Sequence, residues 1–177
     1  FLYCEVITCF TAAIALFIVS VFAVIFPIVE SNMMDDKRIM IRELTQSAWS
    51  IMDDFQRQVE QGLLSEEEAK KEAKTVIANL RYGPNNKDYF WILDHHPRMI
   101  AHPYRPDLNG KDVTDFADPH GKQLFVEFAE VVKLQDSGFV EYMWQWKDDP
   151  NRIVPKLSYV QGFKPWGWIV GTGIYIE

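Results

Sequence analysis

Three hydrophobic rhythms follow one another along the chain. From residue 6 to residue 29 there is no charged side chain at all. That run of about two dozen residues exceeds the roughly 20 needed to cross the hydrocarbon core of a bilayer. A secretory signal would have a shorter apolar core, a basic start and a small-x-small cleavage site. Here Glu5 stands where the basic start would be, and Phe26, Pro27 and Ile28 fill the end. The pattern predicts a transmembrane anchor over residues 1–30. Lys and Arg are absent from its N-terminal flank, so the charge rule sets no orientation. Over residues 31–61 the rhythm changes to Ile41, Leu44, Ala48, Ile51, Phe55 and Val59, spaced by three and four. This is one helical stripe, with Gly62 as its stop. The stripe serves either its own domain or, heptad-fashion, a second copy of the chain. Ser65 and Glu68 form a capping box that opens a helix over residues 65–81, ended by Gly83-Pro84.

From Asp88 the period becomes two. Strands are expected at residues 89–93 and 99–102, around the turn Asp94-His95-His96-Pro97. A loop rich in Pro, Asp, Asn and Gly covers residues 103–118. An amphipathic helix follows over residues 122–134, then strands at 139–146, 153–163 and 166–176. Five strands with antiparallel-type connections in the region 88–176 define an α+β fold, a sheet with one long helix on its back.

Composition narrows the class. Of the 177 residues 48% are hydrophobic, enough for a packed core. The net charge of -7 and the lack of a clustered basic face argue against nucleic acid as a partner. The two cysteines, Cys4 and Cys9, both lie in the apolar run, so no disulfide framework is expected. His95, His96, His102 and His120 are the only histidines, and neighbours on an extended chain point to opposite sides; no metal site is expected. There is no nucleophile elbow, P-loop or dinucleotide fingerprint, so neither catalytic residues nor a cofactor are expected, and the chain does not read as an enzyme.

Several short stretches carry a resemblance: YFWILD (89–94), AHP (101–103), DLNGKDV (107–113), Asp118-x-x-Gly121, GFVEYMWQW (138–146) and PKLSYVQGFKPWGWIVGTGIYIE (155–177). In this order they resemble a single-Cache sensor domain, a family of bacterial chemoreceptors, histidine kinases and other membrane-bound transducers. The resemblance covers residues 31–177. It implies a PAS-like fold with a five-stranded antiparallel sheet, a long N-terminal helix on one face and a ligand pocket on the other. It implies an extracytoplasmic (periplasmic) domain on the cell membrane and a second membrane helix beyond Glu177. It also implies a small organic acid as ligand, such as acetate, propionate, pyruvate or lactate. The chain departs from the family at the hairpin, which usually turns through Asp-x-x-Gly.

A buried carboxylate needs cations or polar hydrogens around it. Arg81 fits a pocket cation or, equally, a surface arginine at a helix C-terminus. Lys156 fits a pocket cation or a snorkelling edge lysine. Tyr89 and Trp91 share one face, and Tyr142 and Trp144 another; each pair lines a pocket or fills a core. His102 donates to a ligand or holds the loop. The resemblance favours the pocket for Tyr89, Trp91, His102, Tyr142, Trp144 and Lys156. Two alternatives stay open: the same fold sensing an amine, urea or purine, and a ligand-free module that forms a homodimer through the long helix.

Overall fold

The computed structural model describes the backbone of residues 2–176 and the side chains of residues 10–176. Cys4, Cys9 and Glu177 lie outside the described side chains. The chain divides into two units, residues up to 39 and residues from 40 onward.

The first unit is helical: α1 (Leu2–Ser20), a single π turn (Val21–Ile25) and the start of α2 (Phe26–Glu60). Its apolar side chains from Phe10 to Val29 are exposed, apart from half-buried Val21. By length and composition this helix suffices to cross a membrane. The π turn sits where Pro27 brings a ring and no N–H; Phe26 N–H reaches back to the Val21 carbonyl.

In the second unit the rest of α2 and α3 (Glu66–Asn79) precede a sheet. Its strands are β1 (Arg81–Tyr82), β2 (Asp88–Asp94), β3 (Met99–Ala101), β4 (Ser137–Trp146), β5 (Asp149–Phe163) and β6 (Trp168–Tyr175). The order is β1-β2-β6-β5-β4 with β3 also paired to β2, and every pairing is antiparallel. The α+β, PAS-like fold read from the sequence is therefore present, with the two-residue β1 added. The second helix stops at Asn79 because Leu80 is already extended; Arg81 pairs across to Tyr89. The capping box of Ser65 and Glu68 is formed in both directions.

Both faces of the sheet are covered, as the apolar run of β2 demands. Tyr89, Trp91 and Leu93 point into one core with Phe125 and Phe128 of α4 (Leu124–Gln135). Phe90 and Ile92 point into the other, with Ala48 and Met52 of α2 and Ala73 and Ile77 of α3. The long-helix stripe is thus engaged within its own domain: Ile41 and Ala48 are fully buried, and Leu44, Ile51 and Phe55 pack at the margin of that core.

At the hairpin that lacks glycine, Asp94 takes over the turn. Its Oδ1 accepts from Arg98 N–H at 3.0 Å, and its own N–H donates to the Arg98 carbonyl. His95 N–H donates to the carbonyl of Gly167, whose φ of 66° is left-handed, and the imidazole lies against that glycine.

β4 is a long edge strand, and two of its outward backbone groups are occupied. Asp118 accepts from the N–H groups of His120 and Lys122 with one oxygen and from Met143 N–H, on β4, with the other. Lys122 Nζ donates to the Glu141 carbonyl. Burial raises the Asp118 pKa, but the three N–H donors outweigh it and hold the carboxyl below its ordinary value. A depressed carboxyl stabilises the fold above its unfolded pKa, and that contribution is lost only as acid titrates the folded group, below about pH 4. Asp118→Ala is expected to cost about 1–3 kcal/mol at pH 7, read from urea unfolding, because three donors lose their acceptor.

Candidate functional site

The sheet register builds the site. Lys156 on β5 lies directly opposite Tyr142 on β4 and Tyr175 on β6. Cross-strand partners share a face, so a cation is flanked by two phenols. From β2, Tyr89 closes over it: Lys156 Nζ donates to Tyr89 Oη at 2.9 Å and lies 4.2 Å from the Tyr89 ring centre and 4.9 Å from that of Tyr175. Lys156 is 1% exposed. Gly173 on β6 leaves room for Ser158 next to it, and Gly171, further along the strand, leaves room for the Trp91 ring. A Cβ on Gly171 would lie 2.4 Å from the Trp91 ring, and one on Gly173 would meet the Ser158 hydroxyl at 2.3 Å.

No carboxylate among the described residues pairs with this ammonium. Asp88 is 3.2 Å from Lys147, and Asp107 is 2.8 Å from Arg105. Burial draws the Lys156 pKa down to about 7, with Asp88 pulling up and Lys147 pulling down.

Around the lysine stand donors. Trp144 Nε1 is buried and finds no hydrogen-bond acceptor among the described residues. It approaches the Tyr89 hydroxyl and lowers its pKa as a weak donor would, but does not reach full hydrogen-bond geometry. An unpaired buried N–H costs about 1–3 kcal/mol, so its presence points to a function. His102 is buried, and its Nδ1 accepts from Arg105 N–H at 3.0 Å. That bond places the proton of the neutral imidazole on Nε2. Burial first, then Lys156 and Arg105, push the His102 pKa well below its ordinary value, so the ring is a neutral donor. It stands edge-on to Tyr89 at 4.9 Å and tilted to Trp144 at 5.5 Å. Tyr142 shares a hydrogen bond of 2.9 Å with Ser158, and burial drives its pKa far up. Tyr175, also raised by burial, to about 12, accepts from Lys147 N–H and donates to the Gln145 carbonyl.

Five of the seven residues singled out in the sequence thus converge: Tyr89, His102, Tyr142, Trp144 and Lys156. Two stand apart. Trp91 stacks on Phe128 at 4.7 Å beneath α4. Arg81 Nη1 donates to the carbonyls of Ala78 and Leu80, both at 2.7 Å, so its fork closes the end of α3; its Cζ lies 5.7 Å from the Tyr104 ring. Tyr175, Tyr104 and Arg105 were not singled out. The parity of β6 puts Tyr175 on the same face as Gly171 and Gly173, and that was the available signal. Arg105 lies 5.9 Å from the Trp144 ring and belongs to the loop over the cage.

Two hollows adjoin these elements. One of about 340 Å3 is lined by Arg105, Phe116, Met143, Trp144 and Gln145, and so touches the cage at Trp144. A larger groove of about 650 Å3 lies between the His95–Pro97 turn and α4. It holds none of the converging residues, and its Lys164 is already paired with Asp136 at 2.7 Å. Lys156 without a carboxylate and Trp144 without an acceptor both belong to the cage, which meets the smaller hollow at Trp144 alone and is the better candidate on its chemistry. No group of three or more His, Cys, Asp or Glu suited to a metal is found among the described residues. Chemically the cage offers one cation and several fixed hydrogens to one small anion.

A long helix followed by an antiparallel sheet of this order is the PAS- or Cache-like architecture of sensor domains. Residues 33–177 match the family described as Single Cache domain 2, and the chain belongs to that family. Among its relatives is the methyl-accepting chemotaxis protein McpP of Pseudomonas putida, 40% identical over 136 residues. The match covers 77% of this chain and 24% of that protein, so the chain spans about a quarter of the relative's length. A solved periplasmic sensor domain of a chemotaxis protein is 36% identical, with a TM-score of 0.78, over 82% of this chain and 99% of that one. A second, a Cache chemosensory domain described for its recognition of carboxylic acids, is 37% identical with a TM-score of 0.78. It aligns with 83% of this chain and 98% of its own.

Proposed function

We propose that residues 31–177 are the ligand-sensing part of a membrane-bound chemotaxis transducer and that the cage takes the carboxylate of a small organic acid. Acetate, propionate, pyruvate and lactate are the candidates. The observation that carries this reading is Lys156, a buried lysine with aromatic walls and no carboxylate partner among the described residues, beside the Nε1–H of Trp144, which has no acceptor among them. A carboxylate supplies both missing partners at once, and neutral His102 adds a third hydrogen. The carboxylic acid recognition described for the 37% identical sensor domain supports the same chemistry. A protonated amine would find no free carboxylate in the cage among the described residues, since Asp88 is paired with Lys147 and Asp107 with Arg105, which opposes it.

In this reading residues 1–30 lie in the membrane, and residues 31–177 face the periplasm. The apolar first unit and the periplasmic neighbour support that placement. Two copies join through α2. Occupancy of the cage acts on β5 and β6, and the reverse side of that hairpin is tied to α2. Trp49 Nε1 donates to the Gly162 carbonyl at 3.0 Å, and Trp166 Nε1 to Gln56 Oε1 at 2.7 Å. A ligand moves this linkage only through its difference in affinity for two arrangements.

Calorimetric titration of the full chain in detergent against the four acids, a small amine and urea tests the proposal. Saturable binding of at least one acid, one per chain, is expected, with none for the amine or urea. A folded sample that binds no acid, or that binds the amine instead, rejects it.

A further inference from the structure

Among the described residues near the cage, Asp88 is ion-paired with Lys147 and Asp107 with Arg105, while Lys156 has only the Tyr89 hydroxyl and no counter-ion. From β2 it is faced by Asp88, already 3.2 Å from Lys147, and by Tyr89, whose phenol burial keeps protonated. From β4 comes Tyr142 and from β6 Tyr175, phenols whose pKa values are likewise raised. The loop after β3 brings His102, a neutral ring, and the β4–β5 turn brings Lys147, a like charge. A fully buried ammonium surrounded in this way lacks the counter-ion that would hold its proton, and desolvation favours the neutral form.

We infer that carboxylate capture takes up a proton: the ligand-free cage holds Lys156 as a neutral amine, and the incoming anion draws a proton from solvent, so that ammonium and carboxylate are buried as a pair. The balance is one amine, one proton and one carboxylate giving one ion pair, with no other group changing its charge. The 2.9 Å contact with Tyr89 serves both states, because the phenol donates to the amine and accepts from the ammonium. The lysine's drop to about 7 places the change of state at neutral pH. The site then responds to the product of anion and proton activities, which is the undissociated acid, and a given concentration of the salt registers more strongly in acidified surroundings. The deduction rests on the carboxylate reading above and adds to it the proton as a second ligand.

The test is calorimetry on the full chain in detergent with propionate and, in parallel, pyruvate, between pH 6 and pH 8.5. Each pH is run in two buffers of unequal ionisation heat, so that the protons exchanged are counted. Both acids are ionised throughout, so their own titration does not enter. With the free amine titrating at about 7 and the bound one well above the range, Kd is expected to be about 30-fold weaker at pH 8.5 than at pH 6. Proton uptake is expected to rise from near zero at pH 6 to close to one per ligand at pH 8.5. Lys156→Arg, which keeps its charge throughout, is expected to show a flat Kd and no uptake; if that variant binds nothing, the proton count on the unaltered chain decides. Binding with a flat Kd and no proton uptake overturns the inference and leaves the carboxylate reading standing. Uptake that persists in Lys156→Arg overturns it as well, by assigning the proton to another group. Absence of binding by both acids at every pH overturns both.

Discussion

Lys156→Met is expected to abolish acid binding, by at least about 100-fold in Kd, while making the ligand-free domain harder to unfold. Methionine fills nearly the same volume, so the aromatic walls keep their contacts. What disappears is a charge that the folded state must bury without a counter-ion at low pH. Tyr89 loses a hydrogen-bond partner, which costs about 1 kcal/mol. Relief of the buried charge is larger, and the net gain at pH 6 is expected to be about 1–3 kcal/mol. Its pH dependence has a definite sign. The folded pKa of Lys156, about 7, lies below the unfolded value, so between these two values the unfolded chain binds more protons and stability rises with pH. The penalty is complete below about pH 7 and fades as pH climbs toward the unfolded value. The gap between variant and parent is therefore widest in mild acid and closes by about pH 10. Thermal unfolding across that range, with calorimetry for binding, checks both halves. A variant that still binds the acid ends the case for Lys156 as the anchor, and one that is destabilised at pH 6 contradicts the absence of a counter-ion.

The second large effect is expected at Gly171. An alanine Cβ there would sit 2.4 Å from Trp91 Cζ2 and 2.8 Å from two further ring atoms. Trp91 has nowhere to go, since its other face is stacked on Phe128 at 4.7 Å and both are buried. The substitution forces either the β2–β6 pairing or α4 to shift, at an expected cost of about 2–4 kcal/mol in urea unfolding. Gly110→Ala is the control. There φ is +80° and nothing lies within 4 Å of the added carbon, so only the left-handed backbone is penalised, by about 1 kcal/mol. If Gly110→Ala proves the costlier of the two, the close approach of Trp91 to β6 is not what holds this core.

The fold was legible where a pattern repeats within a short window. Period two over Tyr89–Leu93 places alternate residues in two different cores, as found, and the Ser65–Glu68 box forms as its spacing requires. The site was legible only by residue type. That Lys156 lacks a carboxylate follows from where Asp88 and Asp107 spend their charge, and those pairings join residues far apart in the chain or locked in a local fork. Tyr175 escaped notice because its place beside Lys156 depends on the β5–β6 register, which a strand's own sequence does not fix. Arg81 carried two readings, and the geometry gives its fork to the Ala78 and Leu80 carbonyls, a choice set by how Leu80 leaves the helix. Asp118 read as the last residue of a loop, yet one of its oxygens holds a strand at Met143, 25 residues further on.

That oxygen decides how copies of this chain can meet. An open strand edge is an unlimited contact: each molecule that adds to it offers the next edge, and growth has no stopping point. With Met143 N–H taken by Asp118 and the Glu141 carbonyl by Lys122, two central rungs on the outer rail of β4 are closed to an incoming strand. Strand addition along that stretch has to displace a side chain first, which sets an edge that would otherwise grow without limit at a disadvantage.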